Sequence, residues 1–276
     1  MNALLILVLS SLTWAAPAPA PEPWNAIIQD AQKSALAKNR KQATKKLLEA
    51  IAAEKSPKGR TKLQESLASL AQLFFTDQGQ RVYETGQSLV YENPDQALAR
   101  FREAMELEDS NTTILLAIIR MNLSRKDCTA AANNLKVMET LNPFDENFKF
   151  LMAKTFLCQH KPDEAINILN QLPSSDATSN VALAAAYIES GSATEARGPL
   201  QRALNLDGQF PEAHYWLWKF SQENGDTADE SGQKYVALCK NLNLRTRRKY
   251  INEPRLCAQT QEVEDAIKAA QKNTDT

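Results

Sequence analysis

A spaced pattern of small and large apolar residues recurs along this chain at a nearly constant interval. In NPDQALARFREAMELEDSN, residues 93–111, Ala97 and Ala104 lie seven positions apart on one helical face, with Phe101 between them. The pattern returns after shifts of thirty-four, thirty-four and thirty-one residues, at Ala131, Leu135 and Met138, at Ala165 and Leu169, and at Ala196 and Ala203. Recurrence in register favours a repeated structural unit over a single helix with incidental alanines.

Each copy is predicted to be the second helix of a hairpin. A turn or capping sequence precedes it, at Asn93-Pro94-Asp95, Lys126-Asp127, Lys161-Pro162-Asp163 and Gly191-Ser192, and another helical segment precedes that turn. Two antiparallel helices approach most closely where their side chains are smallest, and larger neighbours fill the gaps. We therefore expect the alanines to mark the points of closest approach, with Phe101 packed between two of them.

The interval and the spaced residues resemble those of tetratricopeptide (TPR) repeats. In ATSNVALAAAYIESGSATEARGPLQRALNLDG, residues 177–208, the family's Leu, small residue, Tyr, Gly and two Ala positions correspond to Leu183, Ala184, Tyr187, Gly191, Ala196 and Ala203. The resemblance implies an all-α fold, an α-solenoid of antiparallel helix pairs in a right-handed superhelix, with extra helices at both ends.

The repeat register divides the chain into an array with flanking segments. Terminal helices with polar outer faces are expected because a solenoid must be stopped from stacking onward. The expected parts are a signal peptide at 1–15, a Pro/Ala-rich linker at 16–23, N-terminal helices at 24–76 that resemble a decayed repeat, an array at 77–243 with repeats at about 78–111, 112–145, 146–176, 177–210 and 211–243, capping helices at 244–272, and a tail at 273–276.

Several positions depart from the repeat pattern, three of them inside predicted helices of the array. Ile119 and Trp218 occupy the small-residue position of their first helices, so these two hairpins are expected to be splayed. Pro199 lies inside a predicted second helix, where proline removes a hydrogen bond and bends the chain.

The N-terminus resembles a secretory signal peptide. An apolar run from Ala3 to Leu12 is followed by small residues, and cleavage is expected after Ala15. The alternative is an uncleaved anchor, but the run is about half the roughly 20 residues that span a bilayer. No later stretch resembles a transmembrane segment. We expect export, to a bacterial periplasm by resemblance to exported repeat proteins, and otherwise secretion.

The chain contains four cysteines, Cys128, Cys158, Cys239 and Cys257. In an oxidising compartment an even number favours disulfides. The repeat register, itself implied by the family resemblance, places Cys128 and Cys158 at the same edge of adjacent elements. That pairing leaves Cys239 with Cys257, and it is preferred among three possible connectivities. The cysteines form no CxxC pair, so no metal site is expected.

No arrangement of residues typical of catalysis or cofactor binding is present. The sequence has no GxSxG elbow, no HExxH and no phosphate-binding glycine loop, and Ser231–Lys234 matches SxxK without its companion motifs. The formal net charge of −1 provides no overall attraction for nucleic acid. We therefore predict a protein that is not an enzyme, needs no cofactor and has protein or peptide partners.

The family resemblance implies that the first helix of each pair lines a concave groove. Carried onto this sequence, one row of groove residues contains Arg120, Lys154, Ala185 and Lys219, and the row beside it contains Leu116, Phe150, Val181 and Tyr215. Cations beside apolar and aromatic side chains suit a peptide with acidic groups or a free C-terminal carboxylate. The alternative is that the long basic side chains only solvate the inner face.

A second patch is basic and lies near the N-terminus. It comprises Lys33, Lys38, Arg40, Lys41, Lys45, Lys46, Lys55, Lys58, Arg60 and Lys62. In an exported protein such a patch would suit anionic lipid, cell-wall polymer or an acidic protein, giving peripheral contact with the envelope. A solvated helix face is the simpler interpretation.

Overall fold

Helices form all the regular secondary structure that is described in a computed structural model of the chain. The structure describes residues 22–223, 229–251, 253 and 255–274, so the predicted signal peptide and most of the predicted linker lie outside the described residues. The helices are α1 (Pro23–Leu36), α2 (Arg40–Ala53), α3 (Pro57–Gln72), α4 (Asp77–Leu89), α5 (Pro94–Leu107), α6 (Thr112–Ser124), α7 (Cys128–Leu141), α8 (Glu146–Cys158), α9 (Pro162–Leu169), α10 (Ala177–Glu189), α11 (Ala193–Leu206), α12 (Pro211–Glu223), α13 (Asp229–Lys240), α14 (Leu244–Lys249) and α15 (Thr260–Thr274).

The helices from α4 to α13 pack as consecutive hairpins. α4 packs on α5, α6 on α7, α8 on α9, α10 on α11 and α12 on α13. The first helices also contact one another, since α8 touches both α6 and α10, and α10 touches α12. From α6 to α12 the first helices therefore form a continuous row, which we call the inner row. The predicted all-α array of antiparallel helix pairs is confirmed.

The recurring alanines lie in the interior of the array. Ala97, Ala131, Ala165 and Ala196 are fully buried. The other residues expected at the helix contacts are buried too, except Tyr187, which is partly buried; the buried set is Phe101, Ala104, Leu135, Met138, Leu169, Leu183, Ala184 and Ala203.

A glycine in α4 gives Phe101 its place in the first hairpin. A Cβ atom added to Gly86 would lie 2.7 Å from Cε1 of Phe101 and 3.3 Å from the carbonyl oxygen of Ala97. The ring therefore occupies the space that any side chain at position 86 would need. The large residue between the two alanines of α5 packs against a helix that has no side chain at the contact.

The last hairpin accommodates Trp218 in a similar way. Trp218 on α12 is 3% exposed, and a Cβ atom added to Gly232 of α13 would lie 2.9 Å from its Cδ1. A glycine on the second helix thus makes room for a large side chain on the first. The prediction that this hairpin is splayed did not take this compensation into account. Ile119, the other departure, is fully buried. α11 continues as one helix through Pro199.

Side-chain caps fix where several helices of the array begin. The side chains of Asn111, Asp127, Asp145 and Asp176 each accept a hydrogen bond from a backbone N–H in the first turn that follows. Such a bond satisfies a donor that has no partner within the helix. Short polar residues between apolar helices thus set the hairpin boundaries.

Helices α1 to α3 form an N-terminal bundle around Trp24, Leu47 and Leu63. Its attachment to the array is polar: Arg40 at the start of α2 forms an ion pair with Glu108 after α5, with Nη2 2.9 Å from Oε2. Glu108 also accepts hydrogen bonds from the backbone N–H groups of Phe75 and Thr76. Burial alone would raise the pKa of Glu108, but these hydrogen bonds outweigh it and lower the pKa below its usual value.

Two disulfides occur in the structure, Cys128–Cys158 and Cys239–Cys257. They have the connectivity that the repeat register favours. The second joins α13 to the chain just before α15, and α15 itself packs on α13 at the end of the array. Within the described part of the chain, no helix has the length and apolar character needed to cross a membrane.

Candidate functional site

The chain between α13 and α15 lies across the inner row of first helices. We call its described residues, 244–251, 253 and 255–258, the groove segment; they include α14. The capping helices expected at 244–272 are thus divided between two locations. α15 covers the end of the array. The groove segment lies on the face formed by the first helices, which we call the concave face, and contacts residues from the first hairpin to the last.

One end of the groove segment rests on the first hairpin. The hydroxyl of Tyr91, just after α4, donates a hydrogen bond of 2.9 Å to the carbonyl oxygen of Arg247. The Arg247 guanidinium lies 5.3 Å from the centre of the Tyr91 ring, within the range of a cation–π interaction. These two residues are 156 positions apart in sequence.

The middle of the groove segment is anchored by an aromatic side chain. Tyr250 is 4% exposed and stacks on Phe210 with ring centres 4.5 Å apart. Its hydroxyl donates to Asp207, which also pairs with Lys249 at 2.6 Å. Burial opposes ionisation of Asp207, but the hydrogen bonds from Lys249 and Tyr250 outweigh it and lower its pKa. Tyr250 therefore combines ring stacking with a charge-assisted hydrogen bond.

A carboxylate of the groove segment meets a cation of the inner row. Both oxygens of Glu253 accept hydrogen bonds of 3.0 Å from Nζ of Lys154 on α8. The side chains are 18% exposed for Lys154 and 5% for Glu253, so this pair is far better shielded than a surface ion pair.

Glu212 of α12 lies beside this ion pair and is 4% exposed. Its Oε1 accepts a hydrogen bond of 2.5 Å from the backbone N–H of Cys257. Burial, followed by the nearby charge of Glu253, raises the pKa of Glu212 to about 8. The contact between groove segment and inner row thus includes a carboxyl group whose surroundings favour the protonated form.

Two cavities flank the groove segment, and Glu253 lines both. The first is about 530 Å³ and is lined by Lys154, Ala185, Glu212, Tyr215 and Trp216 among others. The second is about 430 Å³ and is lined by Tyr83, Tyr91, Arg120, Arg248 and Ile251 among others. Both volumes fall in the usual range of ligand sites. The segment leaves space beside it on the concave face.

The expected groove residues fall into different environments. Lys154, Ala185 and Tyr215 line the first cavity, and Arg120 lines the second. Val181 packs in the same apolar cluster as Tyr250.

The remaining expected groove residues line neither cavity. Leu116 and Phe150 are at most 5% exposed and belong to the interior cluster between hairpins. Lys219 pairs at 3.7 Å with Glu262 of α15, at the end of the array.

The basic N-terminal patch is largely engaged within the protein. Arg40 is buried against Glu108, Lys46 lies 2.7 Å from Asp30, and Lys58 lies 2.8 Å from Glu22. Lys41, Lys45 and Lys62 also form ion pairs, with Asp109, Glu49 and Glu65. Six of the ten patch residues thus form ion pairs, and of these six only Arg40 is buried.

Sequence reasoning missed the residues that hold the groove segment. Tyr91, Asp207 and Glu212 were not singled out, and Tyr250 and Glu253 were assigned to a cap. One signal was available: a short Arg/Lys-rich helix ending in tyrosine is an unusual cap, because a buried aromatic needs an apolar surface. Nothing in the local sequence indicates that this segment lies on the concave face.

The described side chains include no group of three or more His, Cys, Asp and Glu residues placed to hold a metal ion. What the concave face offers is a cation, carboxyl groups and aromatic rings around two open cavities. These groups can form ion pairs, hydrogen bonds and ring stacking.

Comparisons with known proteins support the fold. No protein-family profile and no curated protein matches the sequence. Among solved structures, a thermophilic TPR protein of Thermus thermophilus superposes with a TM-score of 0.53 at 15% sequence identity, over 70% of this chain and 98% of that one. At this identity the likeness concerns architecture alone. The chain therefore has the tetratricopeptide-repeat fold.

Proposed function

We propose that this protein is a non-catalytic scaffold that binds a segment of another protein on its concave face. The observation that carries the proposal is the groove segment. The face already holds a stretch of polypeptide through an ion pair, a stacked tyrosine and backbone hydrogen bonds. These are the interactions by which peptide-binding domains hold their ligands.

The partner would supply at least one acidic side chain. Lys154 binds a carboxylate of the chain itself, and the pair is shielded from solvent, which strengthens charge-assisted hydrogen bonds. Tyr215 and Trp216 form an apolar wall beside it in the first cavity. A peptide with an acidic group next to an apolar one fits these surroundings.

The compartment proposed for this scaffold is the bacterial periplasm. The apolar run from Ala3 to Leu12 is the sequence feature that supports export. The two disulfides are compatible with it, since such bonds persist in oxidising compartments. Fractionation of the native cell with sequencing of the mature N-terminus tests this part of the proposal.

Site-specific photo-crosslinking tests the binding face. A photoreactive benzoylphenylalanine placed at Ser88 or Glu189 would lie at the second or the first cavity. The matched control is Val137 of α7, which is 50% exposed and lines neither cavity. After irradiation in the native compartment, we expect protein adducts from the two cavity positions and none from Val137. Adducts at Val137 with none at the cavities would overturn the proposal.

A further inference from the structure

We propose that the groove segment is a built-in competitor: the partner binds by displacing it and carries the same recognition chemistry. That chemistry is an aromatic residue followed three positions later by a carboxylate, within a mainly basic segment. This inference rests on the proposed function and adds to it the kind of partner and the step that precedes binding.

The anchors of the groove segment define the partner's pattern. Tyr250 provides the ring that stacks on Phe210, and Glu253 provides the carboxylate that Lys154 binds. They are three residues apart, so both reach the face from one short stretch. A partner that lacked either group would leave Phe210 or Lys154 without the contact that it now has.

The charges around the anchors set the rest of the pattern. The groove segment carries Arg245, Arg247, Arg248, Lys249 and Arg255. Lys249 pairs with Asp207, Arg247 lies over Tyr91, and Arg255 lines the first cavity beside Glu189 and Glu212. The concave face thus accepts cations on both sides of the single carboxylate. A uniformly acidic peptide would place a like charge against Asp207, whose carboxylate now pairs with Lys249.

The groove segment is held in a way that permits displacement. Its apolar contacts come mainly from Tyr250 and Leu256, which pack with Val181 and Phe210, and the others are ion pairs and hydrogen bonds. Ile251 beside the tyrosine is 41% exposed. The cavities on either side, about 530 and 430 Å³, mean that the face is only partly filled. Segments with few buried apolar contacts open at a lower free energy than the core of a domain.

Covalent attachment makes the groove segment an effective competitor. α13 holds one end, and the Cys239–Cys257 bond holds the other, with 18 residues of separation. A tethered ligand of this kind acts at an effective concentration of about millimolar order. A free peptide of equal intrinsic affinity therefore binds poorly until the internal contact is weakened.

The test uses the full mature chain and a fluorescein-labelled synthetic peptide with the sequence of residues 245–256, RTRRKYINEPRL. In the opened variant, Tyr250→Ala and Glu253→Ala remove the two anchors. Fluorescence anisotropy should show the peptide binding this variant roughly 100-fold more tightly than the wild type. Adding Lys154→Ala to the opened variant should abolish most of that gain. Glu139→Ala, at an exposed position of α7, should leave the wild-type result unchanged.

Equal peptide binding by the wild type and the opened variant, or binding by neither, would overturn the proposal. If the opened variant does not fold, hydrogen–deuterium exchange on the wild type decides the question. Excess unlabelled peptide should then speed exchange in residues 244–251 and leave α11 unchanged, whereas unaltered exchange rejects displacement.

Photo-crosslinking in the opened variant separates this proposal from the proposed function. More adducts at Ser88 and Glu189 than in the wild type would support both. Equal adduct yields from the two chains would agree with the proposed binding face and contradict the proposal that the groove segment competes with the partner. An absence of adducts from both chains would reject the binding face itself.

Discussion

Arg40 and Glu108, 68 residues apart in sequence, form an ion pair whose side chains are 2% and 0% exposed. Arg40 also donates hydrogen bonds to the carbonyl oxygens of Leu73 and Glu108. This pair connects the N-terminal bundle to the loop after the first hairpin. A cation from a run of surface lysines and arginines is therefore a structural link between two parts of the fold.

Replacing Glu108 should destabilise the whole protein. Glu108→Ala leaves the Arg40 guanidinium buried without its carboxylate, which costs about 3–5 kcal/mol in the free energy of unfolding. Urea denaturation followed by circular dichroism measures this. Asp109→Asn is the control, because the exposed Lys41–Asp109 pair should contribute less than about 1 kcal/mol. Equal losses from the two variants would contradict the assigned role of Glu108.

Adding one methyl group at Gly86 should separate the first hairpin. The new Cβ atom would lie 2.7 Å from the Phe101 ring, so Gly86→Ala is expected to cost about 1–3 kcal/mol through overpacking. Gly198→Ala in α11 is the matched control, since the nearest contact there is Nη1 of Arg202 at 3.5 Å. It should stabilise by about 0.5–1 kcal/mol, because alanine is the better helix former. Thermal denaturation distinguishes the loss of stability expected for Gly86→Ala from the gain expected for Gly198→Ala.

The raised pKa of Glu212 predicts a particular pH dependence of stability. The folded protein holds a proton on this group up to about pH 8, whereas the unfolded chain releases it near pH 4.5, the usual pKa of a glutamate. Between these values the native state binds more protons, so the free energy of unfolding falls as pH rises. Glu212→Gln should remove that slope. Urea titrations from about pH 5 to 8 measure it, and Glu139→Gln, at an exposed position, should retain the wild-type slope.

Removing the Cys239–Cys257 bond should loosen the groove segment selectively. The paired substitutions Cys239→Ser and Cys257→Ser are expected to cost about 3 kcal/mol in the chain-entropy model. Hydrogen exchange should accelerate in residues 244–251. The control pair, Cys128→Ser with Cys158→Ser, should destabilise the protein without faster exchange in that stretch, because this bond lies in the second and third hairpins. Faster exchange of residues 244–251 in both double variants would show that exchange in the groove segment depends only on the global stability of the protein.

The repeat array could be predicted because its determinants are local and periodic. Ala97, Ala131, Ala165 and Ala196 recur in register, and each needs only a neighbouring helix to become buried. The compensation of Trp218 by Gly232 was also visible in principle. It required reading the two helices of a hairpin as a pair, instead of scoring each position against the repeat pattern.

The candidate site could not be predicted to the same extent. Tyr91 and Arg247 meet across 156 residues, and nothing near either one indicates the other. Lys154 was expected on the inner row, but its carboxylate partner, Glu253, comes from a segment assigned to the end of the array. Burial of Glu212 likewise depends on a chain segment that arrives from far away in sequence.

Both ends of the groove segment are attached to the array, and this limits how the segment can leave the concave face. Between α13 and Cys257 the chain can lift away only as a closed loop, never as a free tail. A single backbone cleavage beside the exposed Ile251 would change this, because it would separate the Tyr250 anchor from the Glu253 anchor. Each anchor would then be held by its own tether alone, and limited proteolysis at that position would thus weaken the competitor without detaching it.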